Sequence, residues 1–218
     1  MRIYLKISVP NKIIPFNHQP QLVGVIHKWL GWNEEHGKLS LYSCSRLEGG
    51  KAAQEGLKFN KETELFFSSY NVDILKKMIA GIQADPSMFS NLIVNEIIVQ
   101  EDPDLSNREL FWTGSPIFIK RREGERINHI LFTDPRSSDY LKETLITKMK
   151  DASISDDSLD IYFHTDYSGA RTYKIDYNGI GNKTSWCPVI IKGKKETKLF
   201  AWNVGLGNST GIGFGAIK

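Results

Sequence analysis

The chain has 218 residues, which is enough for one large domain or for two domains of about 100 residues each. Hydrophobic residues make up 40%, aromatic residues 11% and charged residues 24% of it, a globular composition that excludes a disordered or fibrous protein. The net charge of +3 is too small to indicate nucleic-acid binding by itself, and two cysteines, Cys44 and Cys187, are too few for a disulfide framework or a four-ligand zinc site. No segment resembles a signal sequence or reaches transmembrane length, so we expect a cytoplasmic protein without a membrane partner.

The first hundred residues predict six main elements in the order strand, helix, strand, strand, helix, strand. Strands are indicated by alternating or β-branched apolar residues, and helices by apolar residues spaced three and four apart. The elements are a strand over 2–9, a helix from Pro20 to about Gly31, strands within 38–47 and 57–69, a helix capped by Asn71 with the inner face Val72, Leu75, Met78, Ile79 and Ile82, and a strand over 91–100. This is the order of a ferredoxin-like domain.

A polar stretch over residues 101–114 predicts a linker, after which a similar order of elements is repeated. The predicted elements are strands over 116–120 and 127–132, a helix over 140–149, strands over 159–164 and 171–177, and a hairpin of 189–192 and 198–202 turning at Gly193–Lys194. We therefore predict an α+β fold of two tandem ferredoxin-like domains, residues 1–105 and 106–218.

The last part of the chain is rich in glycine, with five glycines at positions 205, 207, 211, 213 and 215. A dinucleotide-binding fingerprint is excluded because Thr210 stands where its third glycine belongs and too few residues follow for a helix. The Gly-Lys-Ser/Thr of a nucleotide-hydrolase loop is also absent. Two alternatives remain: a glycine-rich hairpin between two closing strands, or a loop whose backbone approaches an anion.

Basic residues occur in two clusters, one early and one late in the second half of the chain. The first is Lys120-Arg121-Arg122 with Arg126 nearby, and the second includes Lys192, Lys194 and Lys195. Cations beside a glycine loop suit a polyphosphate backbone better than a small ligand, although each cluster alone is typical of a solvated face. The predicted RNA-binding residues are Lys120, Arg121, Arg122, Lys192, Lys194, Lys195, Gly205, Gly207, Asn208, Ser209, Gly211 and Gly213.

The terminal pattern Gly-Leu-Gly-Asn-Ser-Thr-Gly-Ile-Gly-Phe-Gly resembles the signature loop of the CRISPR repeat-processing endoribonucleases, the sixth CRISPR-associated family, within the repeat-associated RNA-binding superfamily. Shorter similarities lie at residues 15–19, 22–26, 38–43 and 115–117. The resemblance implies two ferredoxin-like domains and cleavage of precursor CRISPR RNA within its repeats, without a metal or other cofactor. In that reaction the ribose 2′-hydroxyl attacks the adjacent phosphate and leaves a 2′,3′-cyclic phosphate and a 5′-hydroxyl.

The resemblance also implies a catalytic histidine on the first helix or in the loop after it. Imidazole suits both proton transfers of this reaction because its pKa lies near neutrality. His27 lies on the predicted first helix away from its apolar stripe, and His36 lies in the following loop. Lys38 is placed to stabilise the negative charge of the transition state. We predict His27, His36 and Lys38 as the catalytic residues, and expect His18 to hold the connection before the helix in place.

Three functions stay open at this point. A phosphodiesterase with two His-x-Ser/Thr motifs is excluded, because none of the five histidines is followed by Ser or Thr two positions later. Besides the nuclease, the same fold could bind repeat RNA without cutting it, stacking bases on aromatic residues. The third alternative is a structural subunit of a multi-subunit CRISPR interference complex; whether the chain forms a homodimer is also open. The stacking candidates are Tyr42, Phe66, Tyr162 and Tyr173.

Overall fold

The first half of the chain forms one four-stranded antiparallel sheet covered by two helices. The computed structural model describes residues 1–9, 13–31 and 39–218. Its elements up to residue 100 are β1 (Arg2–Ser8), β2 (Ile13–Ile14), α1 (Gln19–Leu30), β3 (Tyr42–Cys44), β4 (Lys51–Ala53), β5 (Gly56–Lys58), β6 (Glu62–Ser69), α2 (Val72–Ala84) and β7 (Ile93–Gln100). The sheet has the strand order β3–β6–β1–β7, and β2, β5 and β4 form a small separate sheet. This topology is ferredoxin-like, as predicted.

Local sequence signals explain both helices of the first half. Apolar residues from Leu22 to Leu30 are buried along one side of α1, and the helix ends at Gly31, whose φ of 62° suits glycine. In α2 the side chain of Asn71 accepts a hydrogen bond from the backbone N–H of Asp73 at 2.9 Å, which confirms the predicted cap. One predicted core position is wrong, since Val72 is 42% exposed and Ile74 is buried instead.

The second half repeats this topology with two long hairpins inserted. Its elements are β8 (Leu110–Phe111), β9 (Ile119–Glu123), β10 (Arg126–Ile130), α3 (Ser137–Asp151), β11 (Asp160–Phe163), β12 (Arg171–Tyr177), β13 (Ile180–Trp186), β14 (Val189–Lys192) and α4 (Lys195–Val204). The sheet order is β11–β14–β8, and the last residues extend it beside β8, because Trp112 and Lys218 exchange two backbone hydrogen bonds of 2.7 Å. The order therefore matches that of the first sheet and confirms tandem ferredoxin-like units.

Two predictions for the second half are wrong, and one strand was not predicted. Residues 198–202 are part of helix α4 and not of a hairpin strand, because this segment packs in the core on most of its sides. The predicted linker contains β8, which pairs with β14. Strand β13 was not predicted at all, although Asn178 and Gly179, with φ of 52° and 78°, form the tight turn that joins it to β12.

Each half has its own hydrophobic core. One cluster of buried side chains draws on residues between Ile3 and Val94, and a second draws on residues between Leu105 and Ile217. The domain boundary between residues 105 and 106 stays a prediction.

Among the described residues, no helix is long and apolar enough to cross a membrane.

Arg2 joins the two halves. The alternation of β1 predicts this residue on the exposed face, yet it is only 1% exposed. Its guanidinium lies between the rings of Phe66 and Trp202, 3.7 and 3.5 Å from their centroids, and donates to the carbonyl oxygens of Trp202 (3.0 Å) and Ile217 (2.7 Å). Burial lowers the pKa of Arg2 to about 10. The buried cation holds the first strand against α4 and the end of the chain.

Candidate nucleic-acid interface

The glycine loop, residues 205–215, lies between the two halves of the chain. It follows α4 and is closed on itself by a hydrogen bond of 2.8 Å from the N–H of Leu206 to the carbonyl of Gly215. The N–H of Asn208 donates to the carbonyl of Phe118 beside β9 at 2.7 Å. From the first half, the side chain of Gln19 at the start of α1 donates to the carbonyl of Ile212 at 2.8 Å. The loop therefore contacts both ferredoxin-like units.

Packing inside the protein requires the glycines of this loop. All five are buried, and a Cβ atom on Gly215 would overlap the carbonyl oxygen of Leu206. A Cβ atom on Gly211 would overlap the hydroxyl of Ser40, and one on Gly207 would overlap the carbonyl oxygen of Phe118. The glycines thus allow close backbone contacts, whatever the loop binds. The partly exposed residues of the loop are Asn208, Ser209 and Ile212.

A cleft of about 280 Å³ opens beside the exposed part of the loop. The first half contributes Leu39 and Ser40, and the second half contributes residues of β9, α3 and the loop. The oxygen Oδ1 of Asn208 accepts a hydrogen bond of 2.9 Å from the backbone N–H of Lys120, which fixes the loop to the start of β9. The described residues from the second half that line the cleft are Lys120, Thr144, Lys148, Gly207, Asn208, Ser209 and Thr210.

Lys148 of α3 lies at the base of this cleft and is only 3% exposed. Its ammonium group donates to the carbonyl oxygens of Val204 (3.2 Å) and Gly205 (3.4 Å) at the end of α4, and to the hydroxyl of Thr210 (3.0 Å). No carboxylate among the described residues forms a salt bridge with it. Burial lowers the pKa of Lys148 to about 7. Sequence reasoning missed this residue, because its burial depends on a loop about sixty positions later.

The first predicted basic cluster is divided by the alternation of β9. Lys120 and Arg122 are exposed, and neither forms a salt bridge within the described part of the chain. Arg121 lies on the opposite face, where it pairs with Glu143 of α3 at 3.1 Å and stacks on Tyr140, 4.4 Å from the ring centroid. The structure therefore places Lys120 and Arg122 on the solvent side and gives Arg121 an internal partner.

Two further lysines, which are not among the predicted RNA-binding residues, extend this basic surface. Lys174 of β12 and Lys183 of β13 are exposed and stand directly opposite each other. The backbone N–H of Lys183 donates to Nδ1 of His129 at 3.2 Å, and burial, with Lys183 and Lys120 nearby, lowers the pKa of His129. Like charges at directly opposed positions destabilise a hairpin, and an anion bound across them would relieve the repulsion.

The second predicted basic cluster lies away from the glycine loop. Lys192 ends β14, and Lys194 and Lys195 stand at the start of α4, whereas the loop follows the end of that helix. The length of α4, about 15 Å, therefore separates these lysines from the start of the glycine loop. The ammonium group of Lys192 lies 5.6 Å from the ring centroid of Tyr162, and Lys195 lies 4.0 Å from the carboxylate of Glu196. The structure does not bring this cluster together with Lys120.

Of the predicted catalytic residues, only His27 can be placed. It is half-buried on α1, one turn before the helix ends at Gly31. His36 and Lys38 lie outside the described residues. His18 is buried at the start of α1, where its Nδ1–H donates to the carbonyl of Pro15 at 2.7 Å and its ring stacks on Phe89. These contacts agree with its expected role in holding the connection.

One of the four aromatic stacking candidates is exposed. Tyr42 and Phe66 are buried and Tyr162 is half-buried, whereas Tyr173 on β12 is 38% exposed. The ring of Tyr173 meets that of Trp186 edge-on at 6.0 Å between centroids. A base can stack only on an accessible ring, so Tyr173 is the candidate that the structure retains.

No group of three or more His, Cys, Asp or Glu side chains is arranged to hold a metal ion within the described ranges.

Comparison with known proteins bears on the interpretation of this site. A family model described as "CRISPR associated protein Cas6, C-terminal" matches residues 100–218, more than half of the chain and all of its glycine loop. The chain belongs to the Cas6 family. The resemblance inferred from the terminal glycine pattern is thereby confirmed at the family level.

Similarity to individual proteins extends over the full chain. A Pyrococcus furiosus protein named as a CRISPR-associated endoribonuclease-like protein Cas6 is 24% identical over an alignment that covers 100% of this chain and 98% of the relative. A solved structure, titled as the characterisation of a Cas6-related gene from Pyrococcus furiosus, has a TM-score of 0.86 and 22% identity and covers 100% and 97% of the two chains. Another, titled "An RAMP protein binding different RNA substrates", has a TM-score of 0.84 and 21% identity with coverages of 100% and 98%. These structures share the tandem ferredoxin-like fold.

Proposed function

We propose that this chain is an endoribonuclease that cleaves precursor CRISPR RNA within its repeats, and so produces mature guide RNA. The observation that carries the proposal is the Cas6 family match over residues 100–218. The exposed cations Lys120 and Arg122 beside the glycine loop support it, because uncompensated cations along one face suit a phosphate backbone.

In the proposed mechanism the ribose 2′-hydroxyl attacks the adjacent phosphorus while the bond from phosphorus to the 5′-oxygen breaks. The products are a 2′,3′-cyclic phosphate and a 5′-hydroxyl. His27 and His36 are proposed to remove the proton from the 2′-hydroxyl and to deliver one to the leaving 5′-oxygen. Lys38 is proposed to stabilise the additional negative charge on the phosphorane.

The reaction is expected to proceed without a metal ion. Purified protein incubated with a repeat RNA in excess EDTA should cut it at one position, as seen on a denaturing gel, since the proposed nucleophile belongs to the RNA itself. A substrate with a 2′-deoxy sugar just upstream of the cut should bind equally well and stay intact. Cleavage that needs added magnesium or manganese, or that continues on the deoxy substrate, would refute the mechanism. Binding of the unmodified RNA without any cleavage would instead identify a non-catalytic RNA-binding protein.

The basic surface of β9 is expected to set the salt dependence of RNA binding. Replacing Lys120 and Arg122 together by alanine should make the dependence of RNA binding on salt less steep. The magnitude of the slope of log association constant against log salt concentration should fall by about 1.4, since each contact with a single-stranded phosphate contributes about 0.7. The matched control is Lys76→Ala with Lys77→Ala, which removes the same charge from the exposed side of α2. Equal slopes for the two double variants would show that β9 does not contact the backbone.

The second basic cluster is proposed to contact RNA separately from the first. Neutralising Lys192, Lys194 and Lys195 together should weaken binding and lower the salt slope by about 2, because three backbone contacts would be lost. Its effect should add to that of the β9 double variant, since α4 separates the two clusters. Unchanged binding by the triple variant in filter-binding titrations would mark this cluster as an ordinary solvated surface.

A further inference from the structure

A chain of hydrogen bonds runs from α3 through the glycine loop to the first half of the protein. The ammonium group of Lys148 donates to two carbonyl oxygens at the end of α4 and to the hydroxyl oxygen of Thr210. These three bonds use all of its N–H groups. The hydroxyl of Thr210 keeps its own hydrogen and donates it to the carbonyl oxygen of Ser40 at 3.4 Å. The chain therefore ends on a residue of the first half, two positions after Lys38.

The glycine loop is the partner of Ser40 within the described part of the chain. No other donor there reaches the carbonyl oxygen of Ser40. Gly211 packs against the same residue, since a Cβ atom on Gly211 would overlap its hydroxyl. Lys148 and Thr210 are 3% and 2% exposed, so both groups depend on each other and on their protein acceptors for hydrogen bonds. The direction of the hydrogen bond at Thr210 therefore decides whether Ser40 has a donor from the loop.

The direction of that bond depends on the charge of the amine. A neutral amine has two N–H groups and one lone pair, so it can serve the carbonyls of Val204 and Gly205 but has no hydrogen left for Thr210. Those two residues are buried, whereas Ser40 is only half-buried and its carbonyl can turn to water. The hydroxyl of Thr210 therefore gives its single hydrogen to the lone pair of the neutral amine, and the carbonyl of Ser40 loses its donor.

We propose that Lys148 and Thr210 are positioning residues that hold Ser40 while the amine is charged and release it when the amine is neutral. The hydrogen bonds of the described residues carry the proposal. Its consequence for cleavage rests on the proposed function, in which Lys38 is a catalytic residue. Because two residues span at most about 7 Å, an anchored Ser40 limits where Lys38 can lie.

The change of charge falls near neutral pH. Burial lowers the pKa of Lys148 to about 7. Among the described elements packed against α3, β9 carries Lys120, which lines the same cleft, and Arg121, which pairs with Glu143. The end of α4 and the glycine loop face the amine with neutral groups only. We therefore expect Ser40 to be held below pH 7 and released above about pH 8.

Selective isotope labelling tests the hold on Ser40 without RNA. Protein labelled with ¹³C at serine carbonyls and ¹⁵N at leucine gives two correlated NMR signals, because the sequence contains only two Ser-Leu pairs, Ser40–Leu41 and Ser158–Leu159. Between about pH 6 and pH 8.5 the carbonyl signal of Ser40 should move in one titration step with a midpoint near 7. The signal of Ser158 is the internal control and should not follow this step. A Ser40 signal that does not move would overturn the proposal.

Two variants should fix the Ser40 signal at opposite ends of its titration. In Lys148→Met the hydroxyl of Thr210 has no amine to serve, so it donates to Ser40 at every pH and the signal should stay at its low-pH position. In Thr210→Val no hydroxyl remains, so the signal should stay at its high-pH position. The control Lys150→Met removes an exposed lysine from the same helix and should titrate like the wild type. A wild-type titration in either Lys148→Met or Thr210→Val would contradict the proposed relay.

Cleavage of repeat RNA gives the readout of position. The single-turnover rate of the wild type should exceed that of Thr210→Val by about 2- to 10-fold below pH 7, as expected for one hydrogen bond, and by little above pH 8. Titration of the candidate histidines cancels in this ratio, because both proteins contain them. Thr210→Ser keeps the hydroxyl and should restore the wild-type profile. A ratio that is the same at every pH would overturn the positioning role. If the wild type does not cleave at all, the proposed function fails, whereas the NMR titration still decides whether Ser40 is held.

Discussion

His36→Ala is expected to slow single-turnover cleavage of repeat RNA by about 10²- to 10⁴-fold while RNA affinity stays nearly the same, because the role proposed for His36 is proton transfer and not binding of the RNA backbone. His27→Ala should have an effect of the same kind, and Lys38→Ala should slow the reaction by removing electrostatic stabilisation of the phosphorane. The measurement is the single-turnover rate at saturating protein, with affinity determined separately by filter binding.

A histidine away from the site provides the control for these variants. His164 at the end of β11 accepts a hydrogen bond through its carbonyl from Cys187, and His164→Ala should cleave at the wild-type rate. If His27→Ala and His36→Ala both cleave as fast as this control, the active site lies elsewhere or the chain only binds RNA. A variant that loses affinity and rate in the same proportion would contradict the assignment to proton transfer.

Gly215→Ala is expected to destabilise the fold by about 2–5 kcal/mol, or to prevent folding. Its φ of +72° is unfavourable for alanine by about 1–2 kcal/mol, and the added methyl group would overlap the backbone of Leu206 at a further cost of about 1–3 kcal/mol. The measurement is the free energy of unfolding from urea denaturation followed by circular dichroism.

Gly179 separates the two contributions to that loss. It has a similar φ of +78° in the turn between β12 and β13, but a Cβ atom there would meet no atom within 4 Å. Gly179→Ala should therefore lose only the backbone contribution, about 1–2 kcal/mol. Equal losses at the two positions would show that the loop tolerates side chains, and that its glycines serve conformation alone.

Local signals in the sequence were sufficient to predict α1 and α2 but not α4. Helices α1 and α2 each have one polar and one apolar face. Gly31 marks the end of α1, and Asn71 marks the start of α2. Helix α4 is buried on most sides, including Thr197, Lys198 and Asn203, so its apolar residues show no period that distinguishes it from a strand. Its assignment depends on packing that the second sheet and the end of the chain provide.

The candidate site was only partly visible in the sequence for a related reason. A run such as Lys120-Arg121-Arg122 is recognisable by composition, yet the separate environments of Lys120 and Arg121 follow from strand alternation and from α3. Lys148 appears in the sequence as an ordinary charged residue of an amphipathic helix. Its burial results from the glycine loop packing over it, a contact between distant parts of the chain that no local pattern encodes.

The buried position of Arg2 has a consequence for folding during synthesis. The first four-stranded sheet can form once residue 100 has left the ribosome, but the acceptors of Arg2 at Trp202 and Ile217 are made more than a hundred residues later. Until then the guanidinium keeps its hydrogen bond from Nε to the hydroxyl of Ser68, but its Nη2 atom has only water as an acceptor. The ring of Phe66 also lacks the cover that Gly114 of the second half provides. A nascent chain that stops before residue 217 therefore keeps an unfinished surface on its first domain, which leaves incomplete products open to proteolysis.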